Sequence, residues 1–376
     1  MSRPGHNALA VVLVALALSY VGRTGLSSAA LAHRSAAALA DQSAVRPSYS
    51  QVTVTPNEAA RRVDVSIGGR PFTSYIWPER LKKPVLYPLH SASGTLVTRG
   101  WPLDPRPGER VDHPHQVGLW FVYGDVNGVD FWNNSEARTP DEQAKMGTIV
   151  HRKIVDARGG ADSGTLVVDM DWIGPGNVTF LHERATFVFR GDATGRTVER
   201  TATLTAADRR AVFNDNKEGL FGMRVARQLE QPTTTPDTFT DASGRATTVK
   251  VLDNTGVTGS YTSSEGKTGD AVWGTRSKWT MLTGQIGTEA LTLAILDHPK
   301  NFGFPTHWHA RGYGLFAANP IGQKALSEGK QPPLDITLAP GASVTLTYRL
   351  LILNGKATPD RLEREYTTFA TGKDLP

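Results

Sequence analysis

The chain of 376 residues contains no cysteine. That absence excludes disulfides, thiolate metal centres and a lipid anchor on a cysteine, so the fold is held by its core alone. Long apolar runs are also scarce. The most apolar stretch, Ala8 to Val21, spans fourteen residues, short of the roughly 20 that a membrane-crossing helix needs. No run of Lys and Arg with interleaved aromatics is present, which argues against a nucleic-acid partner. Nucleophile-elbow, phosphate-loop and dinucleotide-binding patterns are missing as well. Serine hydrolase, nucleotide-hydrolysing and nicotinamide-dependent chemistry therefore have no sequence support.

What stands at the N-terminus has the form of an export signal. Arg3 precedes the apolar stretch, and small-residue sites follow at Ala30-Leu31-Ala32 and Ala38-Leu39-Ala40. Residues 1–40 are expected to be a signal peptide and Ala-rich leader. The mature protein is then periplasmic or extracellular, with no stable membrane span. Three of the 41 basic residues (Arg3, Arg23 and Arg34) lie in this leader; removing them leaves 38 against 36 acidic residues, so the charge excess is largely a property of the leader.

The rest reads as strands. Arg62 to Ile67 alternates, Gly68-Gly69 is a hairpin turn, and Pro71 to Trp77 returns. Thr165 to Ile173, Asn177 to Arg190 and Arg196 to Ala206 form a meander, and Ala290 to Leu296 and Val344 to Leu353 add two strands. Thr358 and Pro359 open one helix, with Leu362, Tyr366 and Phe369 on a common face. Long irregular segments lie at Pro78 to Pro114, Asp125 to Thr148 and Gly219 to Thr280, and such loops usually carry function. The expected fold is all-β: a large antiparallel β-sandwich over 48–355 with long loops, then a C-terminal helix and tail over 356–376.

Two His-x-His segments carry the chemistry: His113 and His115 in D-H-P-H, and His307 and His309 in T-H-W-H-A-R. In an extended strand, residues i and i+2 share a face, and Pro114 is expected to keep the first pair extended. Four imidazoles could then meet in one cavity, as catalysts of proton transfer or as ligands for Zn, Cu or Fe. Glu218, between Lys217 and Gly219, is the expected general base, because neighbouring cations favour a carboxylate's anion. Asp112 is placed to orient an imidazole. With Trp120, Lys217, Arg224, Arg311 and Asn319 it makes up the expected substrate-binding set. Trp132, Trp273, Trp279 and Trp308 are further candidates for stacking on a sugar ring. Asp297-His298-Pro299 reads as a turn.

Six motifs in order carry a family resemblance: K-P-V-L-Y-P-L from Lys83, D-H-P-H-Q-V-G-L-W-F from Asp112, G-D-V-N-G-V-D-F-W from Gly124, D-N-K-E-G-L-F-G-M-R-V-A from Asp215, V-W-G-T-R-S-K-W from Val272, and D-H-P-K-N-F-G-F-P-T-H-W-H-A-R-G-Y-G-L-F-A-A-N-P-I-G from Asp297. Together, over roughly residues 50–370, they resemble the bacterial family catalogued as "methane oxygenase PmoA", a family of unknown function. Members carry another histidine where this chain has Gln116. The resemblance implies carbohydrate chemistry and a supersandwich of the galactose-mutarotase kind, in which histidines and a carboxylate act on a sugar. The leading expectation is an exported carbohydrate-active enzyme of the hydrolase, lyase or epimerase class, binding a sugar or other small molecule and requiring no cofactor. A histidine-rich metalloprotein holding a divalent ion on His113, His115, His307 and His309 is the second reading. A non-catalytic carbohydrate-binding protein is the third.

Overall fold

Strict alternation builds the first hairpin. Strand β2 (Arg62–Ile67) buries Val63, Val65 and Ile67 and reverses through Gly68 and Gly69, both at positive φ (59° and 73°), into β3 (Arg70–Ile76). Two left-handed residues in a row give the turn whose twist matches a two-residue hairpin, which is why glycines stand there. The structure, a computed structural model, describes residues 49–372. The signal-peptide and leader expectation for residues 1–40 and the last four residues of the tail lie outside the described residues.

Two eight-stranded sheets form the molecule, with every neighbour antiparallel. The first sheet runs β1 (Val52–Asn57), β2, β3, β4 (Val85–Leu86), β5 (Leu119–Phe121), β11 (Phe221–Arg224), β18 (Leu315–Asn319), β17 (His307–Arg311). The second runs β14 (Ser260–Ser263), β15 (Trp279–Ile286), β16 (Glu289–Asp297), β20 (Ser343–Asn354), β9 (Gly195–Ala206), β8 (Val178–Gly191), β7 (Gly164–Gly174), β6 (Thr148–Arg158). Two short ribbons, β10 (Ala211–Phe213) with β19 (Ile336–Leu338) and β12 (Asp237–Thr240) with β13 (Ala246–Val249), lie outside them. The sandwich and its meander match the sequence expectation.

The sheets pack face to face through aromatic pairs. Phe221 stacks on Tyr348 at 5.2 Å, and Phe72 meets Phe189 edge-on at 6.3 Å. Between them sits an ion pair. Arg200 lies over Phe121 (4.7 Å) and Phe187 (4.8 Å) and donates to Glu183, which also accepts the Trp172 indole N–H at 2.8 Å. The C-terminal helix Pro359–Thr371 closes the opposite face of the second sheet. The Thr358 hydroxyl accepts the Arg361 N–H, and Leu362, Tyr366 and Phe369 bury against Trp279, Leu296 and Leu351.

One expectation fails. The segments read as continuous loops contain β4, β11, β12, β13 and β14. Strands β4 and β11 are buried at every residue, so they lack the polar–apolar alternation that marks a half-exposed strand.

The buried ion pair makes a stability prediction. Glu183→Leu leaves the Arg200 guanidinium desolvated and unpaired, and should cost about 3–5 kcal/mol in denaturant unfolding. The double change Glu183→Leu with Arg200→Met should recover most of that loss. A single substitution costing no more than a surface change would show that the pair is not what fills this part of the core.

Candidate active site

The motif residues meet on the face of the first sheet turned away from the second. On β17, alternation sends Trp308 and Ala310 into the core and His307, His309 and Arg311 to the outer face. Cross-strand register then sets a row His309–Ala317–Gly222–Trp120 over β17, β18, β11 and β5. The two middle members are small. A Cβ on Gly222 would come within 2.8 Å of the Ala317 Cβ and 3.2 Å of the Trp120 ring, so glycine is required there. Trp132 spans this trough, edge-on to Trp120 (5.4 Å) and nearly parallel to His309 (6.5 Å, 19°). Strand β17 ends the sheet, and its outer edge is bridged by Thr275 and Arg276.

Glu218 enters from the loop before β11. Its N–H donates to the Asn216 Oδ1 at 2.9 Å, and its carboxylate lies 3.6 Å from His309 Nδ1 and 2.9 Å from Lys217 Nζ. The Glu218 side chain is 17% exposed, accessible to a small ligand yet shielded from bulk water.

A second group forms around Asp112. Its carboxylate accepts from Arg224 at 2.7 and 2.9 Å, from Arg99, and from His113 Nδ1 at 2.8 Å. Burial would push this carboxyl up, but the His113 hydrogen bond and the Arg224 and Arg99 charges hold it well below the usual carboxylate range. His113 sits at φ 43°, a conformation uncommon outside glycine. Arg99 holds it there by donating to its carbonyl at 3.0 Å. The His113 ring stacks on Tyr313 (5.1 Å, 7°), and the Arg224 guanidinium covers the Tyr313 ring at 4.7 Å.

Burial pushes the His309 imidazole down to about 3, with the Lys217 and Arg311 charges adding to it. His307 is pushed to about 4 by burial and Arg276, and His115 falls well below its ordinary value by burial and the Lys83 charge. All three are neutral near pH 7, and so weakly basic that they act as hydrogen-bonding groups rather than as carriers of charge. Beyond Arg311 opens a cavity of about 520 Å³ whose walls include Trp273, Tyr313, Gln231, Asp270 and Arg110. Arg311 lies over the Trp273 ring at 5.6 Å.

Several expected roles change. The segment at His113 and His115 is a turn, closed by the Gln116 N–H donating to the His113 carbonyl at 2.9 Å. The rings are therefore perpendicular, 5.6 Å apart. His113 faces Tyr313, while His115 faces a separate cavity. Pro114 at the centre of a tight turn, rather than in a strand, is the reason. Arg224 is wholly buried and donates to Asp112 and Gln116, so it positions Asp112. Asp112 has its oxygens hydrogen-bonded to Arg99, Arg224 and His113, the last being the imidazole contact its position in the sequence suggested. Trp120 is a buried wall behind Trp132. Asn319 is buried and clamps two loops, donating to the Asn216 carbonyl and accepting from the Ile321 and Gly322 N–H groups. Trp279 and Trp308 belong to the core. His307 shares the outer face but lies one row along, opposite Asn319. The four histidines thus do not converge as one ligand set, and among the described residues no three His, Cys, Asp or Glu side chains are grouped to hold a metal ion. Tyr313, Arg99 and Gln231 were missed by sequence reasoning. Only the Gly312-Tyr313-Gly314 context of the first hinted at a special position.

No curated protein sequence matches the chain. Among solved structures, a galactose mutarotase-like protein from Clostridium acetobutylicum is 10% identical, with a TM-score of 0.37, covering 81% of this chain and 99% of that one. Galactose 1-epimerase from Lactobacillus acidophilus is 10% identical, with a TM-score of 0.36, over 82% and 99%. A putative aldose 1-epimerase from Escherichia coli is 15% identical, with a TM-score of 0.26, over 80% and 98%. None of these findings supports the methane oxygenase name suggested by the motifs. Residues 62–367 match the model described as "Family of unknown function (DUF6807)", and the chain belongs to that family.

Proposed function

We propose that the protein is a carbohydrate-active enzyme that interconverts forms of a sugar by proton transfer at its anomeric centre. The observation that carries this reading is the Glu218 carboxylate set 3.6 Å from a buried, neutral His309, on the strand whose Arg311 lines an aromatic cavity with Trp273 and Tyr313. Indole and phenol faces next to Arg, Gln and Asp side chains supply what a polyhydroxylated ring needs: flat apolar contact and directional hydrogen bonds. In the proposed step Glu218 takes the proton of the anomeric hydroxyl as the bond from the anomeric carbon to the ring oxygen breaks. His113, its Nδ1 held by Asp112, delivers a proton from Nε2 to the ring oxygen. Ring closure on the other face returns both protons. The leader at residues 1–40 would place this activity outside the cytoplasm.

Glycoside hydrolysis fits less well. It uses two carboxyl groups about 5–9.5 Å apart, one of them acting as an acid. Asp112, the carboxylate beside the His113 ring, is saturated by Arg99, Arg224 and His113. Glu218 beside positioned imidazoles suits proton shuttling instead.

Two outcomes test the reading. Glu218→Gln keeps size and hydrogen-bonding shape, so aldose mutarotation followed by polarimetry should slow by about 10²–10⁴ with the fold retained. Full activity in the folded variant would remove Glu218 as the base. His309 supplies the second test. Its folded pKa lies far below that of an unfolded histidine, so the unfolded chain binds the extra proton between about pH 6.5 and 3. Stability should therefore fall as pH drops through that window, and His309→Gln should flatten the fall. An NMR titration showing His309 protonating near pH 6.5 would contradict its neutral role.

A further inference from the structure

A second cavity, of about 220 Å³, lies behind the first His-x-His segment and takes no part in the proton transfer above. Its walls include Lys83, Trp101, His115, Asn134 and Ser135. Lys83 is 4% exposed and lacks a carboxylate partner among the described residues. Its one hydrogen bond runs to the Trp132 carbonyl, at 3.3 Å. Around it are buried polar atoms with no partner: His115 Nε2, Trp101 Nε1 and Asn134 Oδ1. Leaving buried polar groups unpaired is costly, so a set of them lining one cavity calls for a ligand with the matching groups.

We propose that this cavity binds the carboxylate end of a small hydroxy acid or sugar acid. Lys83, His115 and Trp101 each bring a donor to this cavity, whose wall also carries Glu136 paired with Arg80 at 3.7 Å. The orphaned Asn134 oxygen is an acceptor and requires a donor on the ligand, which an adjacent hydroxyl supplies. Inorganic phosphate, largely a dianion at pH 8, brings a second negative charge that one lysine leaves uncompensated, and an uncharged polyol leaves the Lys83 charge without a counter-ion. The site stands independently of the anomeric reading, because it shares neither Glu218 nor His309. Burial holds Lys83 down at about 7, with the Asp130 charge working against it. A bound carboxylate favours the charged ammonium, so binding above pH 7 takes up a proton and weakens as pH rises further.

Isothermal titration of the full chain with D-gluconate and with glycerate, at pH 8 in HEPES and in Tris, tests this. Saturable binding at one site is expected, with a buffer-dependent heat that reports net proton uptake. Glycerol, propionate and inorganic phosphate should each bind at least about 10-fold more weakly, a difference of about 1.4 kcal/mol. Lys83→Met fills the same space with an apolar chain, and His115→Gln guards against a folding defect in that variant; both should weaken gluconate by a similar factor. Glu218→Gln should bind gluconate as the unsubstituted protein does, so loss of the anomeric reading would leave this one standing. Absence of binding at tens of millimolar, equal binding of glycerol, or unchanged affinity in folded Lys83→Met would overturn the proposal and mark the cavity as a solvent pocket.

Discussion

The carboxylate of Asp112 is the contact on which the site depends. Arg99 and Arg224 are both nearly inaccessible to solvent, and two guanidinium groups packed together without an anion would repel each other in a medium that screens them poorly. Burial and the Arg224 charge push Arg99 down to about 9 even with Asp112 raising it, so the two buried guanidinium groups strain against each other. Asp112 bridges them. In doing so it fastens the segment around residues 99–118 to β11, and the remaining bonds of the two arginines set the turn that holds His113. Removing one partner of such a buried set typically costs about 3–5 kcal/mol, because the other charge is left without compensation. The orientation of His113 and the stacking of Tyr313 follow from this charge cluster more than from any catalytic demand.

The trough beneath Trp132 is the second constraint. Gly222 and Ala317 make room for an indole that touches both histidine segments, His115 at 6.4 Å and His309 at 6.5 Å. The backbone carbonyl of the same Trp132 receives the Lys83 hydrogen bond. Trp132 thus sits between His115, which lines the smaller cavity, and His309 on β17. Trp132 is itself packed edge-on against the buried Trp120.

The outline of the fold was legible in the sequence because the long strands of the second sheet are half exposed. Leu166, Val168 and Met170 alternate with partly exposed neighbours, and the Gly68-Gly69 turn and the Thr358 cap each have local chemistry. The site was legible only in part. The placing of His307, His309 and Arg311 on one face followed from period, whereas the closeness of Glu218 to His309 is set by long-range pairing of β11 with β18 and of β18 with β17. Buriedness did not follow either, because it is decided by segments far away in sequence. Arg224, Asn319 and Trp120 belong to short strands covered on both faces, where polar side chains serve the interior. His115 was misplaced for a local reason: a proline between two histidines fits an extended strand and a tight turn equally well.

Strand β17 stands at the end of its sheet, a position that ordinarily leaves a row of amide and carbonyl groups open to pairing with another chain. Here the segment around Gly274 to Ser277 lies along that edge. Gly274 donates to the Trp308 carbonyl at 2.8 Å, Trp308 donates to the Thr275 carbonyl at 3.0 Å, and Ser277 donates to the Thr306 carbonyl at 3.1 Å. The strand that carries His307, His309 and Arg311 is therefore covered on its free side by backbone from the same molecule. This protein can hold reactive side chains at a sheet margin without turning that margin into a template for self-association.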